Sequence, residues 1–205
     1  MIKITRDVVI YAAKYISGRT LDLGAGNAKY AGIIRPYSSG YLTYDIASKP
    51  NIDIIGDILN INLPDSSFDT VISTQVLEHV SKPWVMVGQI RRILKPGGIC
   101  ILSAPFLVPF HADPHDYFRF TKEGMTSLFE GENFEIIECE SYGRTWSVIS
   151  EFVHFSWFNP YLEQVSWAHF WRKVFPLLQR LFLVLDKLSK NQIIYTNVYI
   201  IARKR

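Results

Sequence analysis

The side chains best suited to proton transfer lie close together in one loop of the sequence, residues 105–120. Two histidines, two aspartates and an arginine fall within nine residues of it: His111, Asp113, His115, Asp116 and Arg119. A hydroxyl nucleophile needs a base to take its proton as the new bond forms. We therefore predict that His115 and His111 are candidate general bases, and that Asp116 is either a base or the partner that orients one.

Two more side chains of this loop are candidates for holding a substrate. Arg119 is expected either to bind an anionic group of the substrate or to pair with Asp116, and Tyr117 is the second candidate contact. The alternative is a rigid lid whose polar groups bond only one another. Outside the loop, His79 is expected to make a structural hydrogen bond rather than to transfer a proton, and no metal ligands are predicted.

A second group of polar residues surrounds a glycine turn. Gly24 and Gly26 follow a short apolar run that contains Asp22, and a ligand can lie directly against backbone that has no Cβ. Asp45 comes 21 residues after Gly24, the distance at which nucleoside-binding α/β folds place a carboxylate for the ribose hydroxyls. A dinucleotide fingerprint would need a third glycine where this chain has Lys29, so the turn favours a different ligand.

The segments that position these residues are predicted to alternate between strands and helices. Strands are expected at 20–23, 41–45, 52–57, 68–73 and 99–104. Helices are expected at 5–17, with Thr5 as N-cap, and at 83–94. Such alternation is typical of a doubly wound, Rossmann-like parallel sheet of the α/β class, in which ligands lie beyond the carboxyl ends of the strands.

The second half of the chain is predicted to complete a seven-stranded sheet and to add a helical insertion. A helix is expected at 122–130, a sixth strand at 134–140 and a seventh, antiparallel strand at 195–202. The insertion, 145–192, is rich in aromatic residues and contains a helix that Pro176 should kink or begin. Its polar positions repeat every seven residues, as at Arg172, Gln179 and Asp186. We expect a cap on the domain with a narrow charged stripe.

Composition excludes several classes of protein. The chain has 205 residues, 48% hydrophobic and 20% charged, which indicates a single folded domain spanning 1–205. A net charge of +3 is too small to indicate a partner made of nucleic acid. Since neither a signal peptide nor an apolar stretch of about 18 residues is evident, a cytoplasmic location is expected. Cys100 and Cys139 are expected to be buried thiols.

Six short motifs occur in a fixed order: Asp22-x-Gly24-x-Gly26, Asp45, Gly56-Asp57, Phe68-Asp69-Thr70-Val71, Leu77-Glu78-His79-Val80 and Leu94-Lys95-Pro96-Gly97-Gly98. In this order and spacing, over about residues 19 to 143, they resemble the class I S-adenosylmethionine-dependent methyltransferases. The family often has a further glycine where this chain has Ala28. The chain is similar to the type 11 methyltransferases, and in particular to a branch often linked to cell-surface polysaccharide genes, which carries an equivalent of residues 115–121.

The resemblance implies S-adenosylmethionine as cofactor and S-adenosylhomocysteine as product. Gly24 and Gly26 would let the methionine half of the cofactor lie against the turn. Asp22 would help to hold the loop and would meet the cofactor's ammonium group. Thr74 and Gln75, at the end of the fourth strand, would form the floor of the methyl region.

On the adenosine side, the resemblance implies that Asp45 hydrogen-bonds the ribose hydroxyls and that Ile46 packs on the adenine face. Asp57 and Ile58 would meet the amino edge of the adenine. Loop capping is the alternative role for Asp45 and Asp57.

The sequence therefore predicts a methyltransferase that acts on an oxygen of a small molecule or a saccharide. One alternative is a Rossmann oxidoreductase that uses an NAD-type cofactor. The other is a cofactor-binding scaffold without turnover. Residues 145–190 would dock such a scaffold to a partner. Whichever function the chain has, these residues are candidates for contact with a second copy of the chain or with a membrane surface.

Overall fold

The computed structural model describes residues 2–157, 168–189 and 193–205. The helices within these residues are α1 (Thr5–Ala12), α2 (Ala31–Ile34), α3 (Pro83–Ile93), α4 (Lys122–Gly131), α5 (Thr145–Trp157) and α6 (Ala168–Leu185). The strands are β1 (Arg19–Leu23), β2 (Gly40–Asp45), β3 (Ile54–Ile55), β4 (Phe68–Thr74), β5 (Leu94–Pro105), β6 (Phe134–Tyr142) and β7 (Asn197–Lys204).

The described strands form one seven-stranded sheet in the order β3-β2-β1-β4-β5-β7-β6. The first five strands pair in parallel, and β7 lies antiparallel between β5 and β6. The predicted α/β class and the antiparallel last strand are confirmed. The strand order reverses between β1 and β4, and in such sheets the crevice for a ligand opens at that reversal, beyond the carboxyl ends of the strands.

Helices cover both faces of the sheet because its central strands are apolar on both sides. On one face, α3 packs against β5 and α4 against β6 and β7, and the fully buried residues Ile90 and Phe129 of these helices share one cluster with Leu21 and Val71. On the other face, α1 and α2 pack against the sheet through a second cluster that includes Val8, Ile34, Ile72 and Ile101. Buried side chains on both faces leave the strand ends as the place for polar chemistry.

Two predicted boundaries are wrong because side chains take backbone hydrogen bonds. The third strand shrinks to Ile54–Ile55, since the carboxylate of Asp53 accepts from the N–H and the hydroxyl of Thr43, both at 2.9 Å. Thr5 is the first residue of α1 rather than its N-cap, and its hydroxyl hydrogen-bonds that of Tyr142 at 3.0 Å. The carboxylate of Asp7 accepts from the N–H groups just before the helix instead.

Helices α5 and α6 follow β6 and precede β7 in the chain, and the intervening residues 158–167 lie outside the described part. The predicted charged stripe is wrong at Asp186, which is 1% exposed. Its carboxylate accepts from the N–H groups of Arg144 at 3.0 Å and Trp146 at 2.9 Å. A buried helix start needs such an acceptor, so Asp186 caps α5.

Other expectations about the insertion have mixed outcomes. Helix α6 runs through Pro176 rather than beginning there. The side chain of Arg172 lies outside the described part, as do residues 190–192. Among the described helices, none combines the length and the apolar character that crossing a bilayer requires.

Candidate active site

The glycine turn after β1 leaves one side of its backbone open. Gly24 has φ +75°, and a Cβ placed on it would lie 2.5 Å from Cγ2 of Val76, the second residue after β4. Gly26 has φ +56°, but a Cβ on it would meet nothing within 4 Å. The first glycine is therefore required by packing against the protein, whereas the second borders open space in which a ligand can lie.

Asp45 lies at the end of β2 and faces this turn. One carboxylate oxygen accepts from the N–H of Gly26 at 2.8 Å, and the other accepts from the N–H of Ala47 at 2.9 Å. The predicted capping role is thus present, yet each oxygen keeps a further acceptor site for a ligand hydroxyl. The next residue, Ile46, is 72% exposed, which leaves an apolar surface of the kind that an aromatic base covers.

The other predicted adenine contacts lie at the end of β3. The carboxylate of Asp57 accepts from the N–H of Leu59 at 2.8 Å and caps the short turn that contains Ile58. The hydroxyl of Tyr44 donates to the carbonyl of Asp57 at 3.1 Å. These bonds fix Asp57 beside Asp45, at the same edge of the sheet.

Asp22 is buried beneath the turn, with its carboxylate accepting from the hydroxyl of Tyr41 at 2.6 Å. Burial raises the pKa of Asp22 to about 6, the Tyr41 hydrogen bond opposes this rise, and the charge of Asp45 adds to it. The hydrogen bond from Tyr41 therefore joins β2 to β1. The sequence predicts that Asp22 holds the glycine loop, and this bond lies beneath that loop. A buried carboxylate with a raised pKa is stabilised in its charged form by a nearby cation.

The floor of the reversal point is a strained bend at the end of β4. Gln75 has φ +56°, a conformation that costs a residue other than glycine about 1–2 kcal/mol. Its side-chain nitrogen donates to the hydroxyls of Ser103 at 3.1 Å and Tyr142 at 3.2 Å, which hold the bend in place. Strain of this kind is concentrated at functional sites, and Thr74 directly precedes it.

The loop after β5 differs from its predicted role in two residues. Asp116 has a side chain that is 1% exposed and forms an ion pair with both terminal nitrogens of Arg119. Burial alone would raise the pKa of Asp116, but the hydrogen bonds from Arg119 and from the N–H of His111 outweigh burial and lower it. This bonding favours the orienting role of Asp116 over the base role.

Arg119 follows the second of its predicted alternatives. Besides Asp116, its guanidinium donates to the carbonyls of Val108 at 3.1 Å, Pro109 at 3.0 Å and Phe118 at 2.8 Å. With these donors directed into the loop, Arg119 holds the loop backbone, which favours this role over binding an anionic substrate. The bonding of Asp116 and Arg119 is therefore of the kind that the rigid-lid alternative predicts, with polar groups of the loop bonded to one another.

The two histidines of this loop are not together. His115 is exposed at the loop surface, with its ring 5.4 Å from that of Tyr117, which is 48% exposed. His111 points inward instead, and its ring lies 5.3 Å from the ring of His79 in an edge-to-face arrangement. The expected structural hydrogen bond of His79 is present, from its ring Nδ1 to the carbonyl of His115.

Glu78 is the residue that the sequence analysis missed. Its side chain is fully buried, and neither carboxylate oxygen has a hydrogen-bond partner among the described residues. Burial raises its pKa to about 8. Its Oε1 lies 3.7 Å from Nε2 of His79 and 3.9 Å from Nε2 of His111. The signal available in the sequence was an acid between a strand end and a histidine, in a segment too apolar to be surface.

Comparison with known proteins shows what this chain is similar to. Residues 21–102 match the family described as a methyltransferase domain. A protein of Mycolicibacterium smegmatis described as a probable S-adenosylmethionine-dependent methyltransferase is 28% identical over 150 residues, which are 64% of this chain. The chain spans 58% of the length of that relative.

Solved structures share the fold at low sequence identity. The cyclase SpnF superposes with a TM-score of 0.64 at 20% identity, covering 97% of this chain and 79% of its own. A Haemonchus contortus phosphoethanolamine N-methyltransferase, in complex with S-adenosylmethionine, has a TM-score of 0.59 at 14% identity, covering 98% of this chain and 52% of its own. The domain match and the relative show similarity to S-adenosylmethionine-dependent methyltransferases, and the solved structures show the same fold. The open turn beside Asp45 has room for S-adenosylmethionine, the molecule bound in the second of these structures.

Proposed function

We propose that the chain transfers a methyl group from S-adenosylmethionine to an oxygen of a small molecule or a saccharide. The observation that carries the proposal is the turn at Gly26, which borders open space while the Asp45 carboxylate lies 2.8 Å from its N–H. The bound cofactor supplies a methyl group on a positively charged sulfur, so the task of the protein is mainly alignment.

The described residues also form a cavity that is a candidate place for the acceptor. A cavity of about 540 Å³ opens between α5 and α6, and its lining includes Glu151, Phe155 and Gln179. The ring of Phe155 lies 6.1 Å from that of His111, which connects the cavity to the loop after β5. Its polar side chains suit a hydroxylated compound, and the resemblance to the branch linked to polysaccharide genes supports a saccharide and a cytoplasmic location.

For the proton of the acceptor hydroxyl, His111 and His115 stay the proposed bases. The imidazole of His111 lies on the inner side of the loop, near the cavity. His115 would have to reach the acceptor from the exposed side of the loop, with Tyr117 beside it.

Calorimetric titration tests the cofactor half of the proposal. S-adenosylhomocysteine should bind and NAD should not. The charged hydrogen bonds of one carboxylate contribute about 1.5–3 kcal/mol, so Asp45→Asn should weaken S-adenosylhomocysteine about 10- to 100-fold. The matched control is Asp65→Asn, a carboxylate that is 73% exposed and pairs with Arg92. Tight NAD binding, or equal affinity in Asp45→Asn, would contradict the proposal.

A second candidate function follows from the structural match to a cyclase, because one fold supports different reactions. A protein that binds the cofactor without transferring its methyl group would bind S-adenosylhomocysteine in the same way. Release of S-adenosylhomocysteine during a screen of hydroxylated acceptors separates the two functions. Binding without any acceptor-dependent release would favour the scaffold.

A further inference from the structure

The cluster formed by Glu78, His79 and His111 lies between the bend after β4 and the loop after β5. Their ligating atoms all lie within 4.8 Å of one another. Three observations bear on what this cluster binds: the tautomers of the two histidines, the bonding of Glu78, and the attachment of the two segments to each other.

The backbone sets which nitrogen of each imidazole carries the hydrogen. Nδ1 of His79 contacts the carbonyl of His115, and Nδ1 of His111 lies 2.9 Å from the carbonyl of Pro109. A carbonyl only accepts, so Nδ1 of His79 donates, and Nδ1 of His111 is better placed to donate to Pro109 than to accept from Nη2 of Arg119, which is 3.5 Å away. In the neutral rings, both Nε2 atoms then carry lone pairs, and both are directed at Glu78. Imidazoles that ligate metals are held in the same way, with the other ring N–H donating to a carbonyl or carboxylate.

Glu78 places a buried carboxyl group at the same point. Its oxygens have no hydrogen-bond donor in the described part of the chain, and a buried acceptor without a partner is costly. With both Nε2 atoms as acceptors, an ionised Glu78 finds no donor between the rings, and a protonated Glu78 can donate to only one of the two. A cation between the three atoms removes both problems at once.

The two segments are joined so that the cluster is held in place. The carbonyl of Glu78 accepts from the N–H groups of Tyr117 at 2.8 Å and Phe118 at 3.3 Å. Ligands about 2.1 Å from a tetrahedral ion lie roughly 3.4 Å apart. The Nε2 to Oε1 distances of 3.7 and 3.9 Å therefore need only a small contraction.

We propose that Glu78, His79 and His111 bind a divalent transition-metal ion, such as Zn²⁺ or Co²⁺. Two imidazoles and one carboxylate suit these ions better than they suit Mg²⁺ or Ca²⁺, which prefer oxygen ligands. The side chains of His79 and His111 are 17% and 27% exposed, so the ion can enter from solvent. In this arrangement His111 is a metal ligand and not a general base.

Three protein ligands would leave at least one coordination position of a tetrahedral ion open. Resting on the proposed function, the inference narrows the acceptor to a compound whose hydroxyl oxygen can bind the ion. Such an ion would lower the pKa of a bound hydroxyl, so that its proton could pass to water rather than to His111 before the methyl group is transferred.

The test uses the full chain, stripped with a chelator and titrated with Co²⁺, whose visible absorption reports coordination, and with Zn²⁺ by calorimetry. One equivalent should bind. Since loss of a supporting residue alone costs 10- to 100-fold in metal affinity, His111→Ala and Glu78→Gln should weaken binding by at least about tenfold. His115→Ala, a histidine of the same loop outside the cluster, should bind Co²⁺ as the wild type does.

The outcomes separate this inference from the proposed function. Absence of a Co²⁺ spectrum in the wild type, or equal affinity in His111→Ala, would overturn the metal site while leaving binding of S-adenosylhomocysteine untouched. Failure to bind S-adenosylhomocysteine, with stoichiometric Co²⁺, would overturn the proposed function alone. Circular dichroism and S-adenosylhomocysteine affinity of Glu78→Gln show whether the variant is folded, and a folded variant that keeps full Co²⁺ affinity also overturns the site.

Discussion

At the scale of the single residue, burial of ionisable groups decides what the site can do. Asp22, Glu78 and Asp116 are all acids that the fold removes from water, but only Asp116 has a paired cation. Its charge is neutralised within the loop. The other two lie at the ends of β1 and β4, where an ammonium group and a metal ion are the proposed partners.

Asp22 predicts a pH-dependent stability. Burial raises its pKa from 3.8 to about 6, so the folded chain holds a proton in a range in which the unfolded chain has lost it. Stability therefore falls as pH rises from about 4 to 6. Asp22→Asn should remove this loss and raise the free energy of unfolding at pH 7 by up to about 3 kcal/mol, relative to its effect at pH 4.

Urea unfolding of both proteins at pH 4, 5, 6 and 7 measures the difference. Asp65→Asn is the control, because it removes a carboxylate whose side chain is 73% exposed. Parallel pH profiles for the wild type and Asp22→Asn would show that the carboxylate is not destabilised by burial.

Residues also show why part of the site was beyond prediction. The glycines and Asp45 were found from the sequence because their roles depend on local backbone geometry. Glu78 was missed because its importance comes from lacking a partner, which only the packed structure reveals. Arg119 was left with two roles because the carbonyls that it binds belong to a loop conformation that no periodicity encodes.

At the scale of the element, the turn between β1 and α2 separates a packing function from a binding function. Gly24→Ala adds a Cβ 2.5 Å from Val76 in addition to backbone strain, whereas Gly26→Ala adds only the strain of about 1–2 kcal/mol. Gly24→Ala should therefore lower the free energy of unfolding more than Gly26→Ala. Thermal unfolding measures this difference.

The same two variants also separate cofactor binding from stability. In Gly26→Ala the new methyl group occupies the space proposed for the cofactor, so S-adenosylhomocysteine affinity should fall in a protein that is still folded. Unchanged affinity in Gly26→Ala would place the cofactor elsewhere.

The types of the strands and helices were predicted better than their boundaries. Short, nearly continuous apolar runs identified the strands because both faces of the sheet are buried. The third strand and the cap of α1 were misplaced because Asp53 and Asp7 form bonds with backbone that propensity does not register. Asp186 fitted a seven-residue repeat of polar positions. Its side chain is nevertheless directed inward, because the N–H groups at the start of α5 require an acceptor.

At the scale of the whole molecule, a row of apolar side chains is exposed on α6 and just beyond it. Leu177, Leu181, Val184 and Leu188 are between 51% and 75% exposed, at the spacing of one helix face. This row supports the expected contact of residues 145–190 with a membrane surface or a second copy of the chain.

Leu181→Glu should reduce whichever association occurs, measured by flotation with anionic vesicles and by light-scattering mass. Ile10→Glu is the matched control, since Ile10 is 50% exposed on α1, compared with 51% for Leu181. A wild-type protein that is monomeric at high concentration and absent from the vesicle fraction would contradict the expectation.

The strand order has a consequence for biosynthesis. β7 occupies the gap between β5 and β6, although it is the last of the three to leave the ribosome. Until residues 197–204 emerge, the position between β5 and β6 is vacant. The backbone N–H and C=O groups that face this position on both strands then lack their hydrogen-bond partners in the sheet. The carboxyl half of the sheet therefore assembles only after synthesis has passed β7, while the cofactor-facing strands β1, β2 and β4 can pair beforehand.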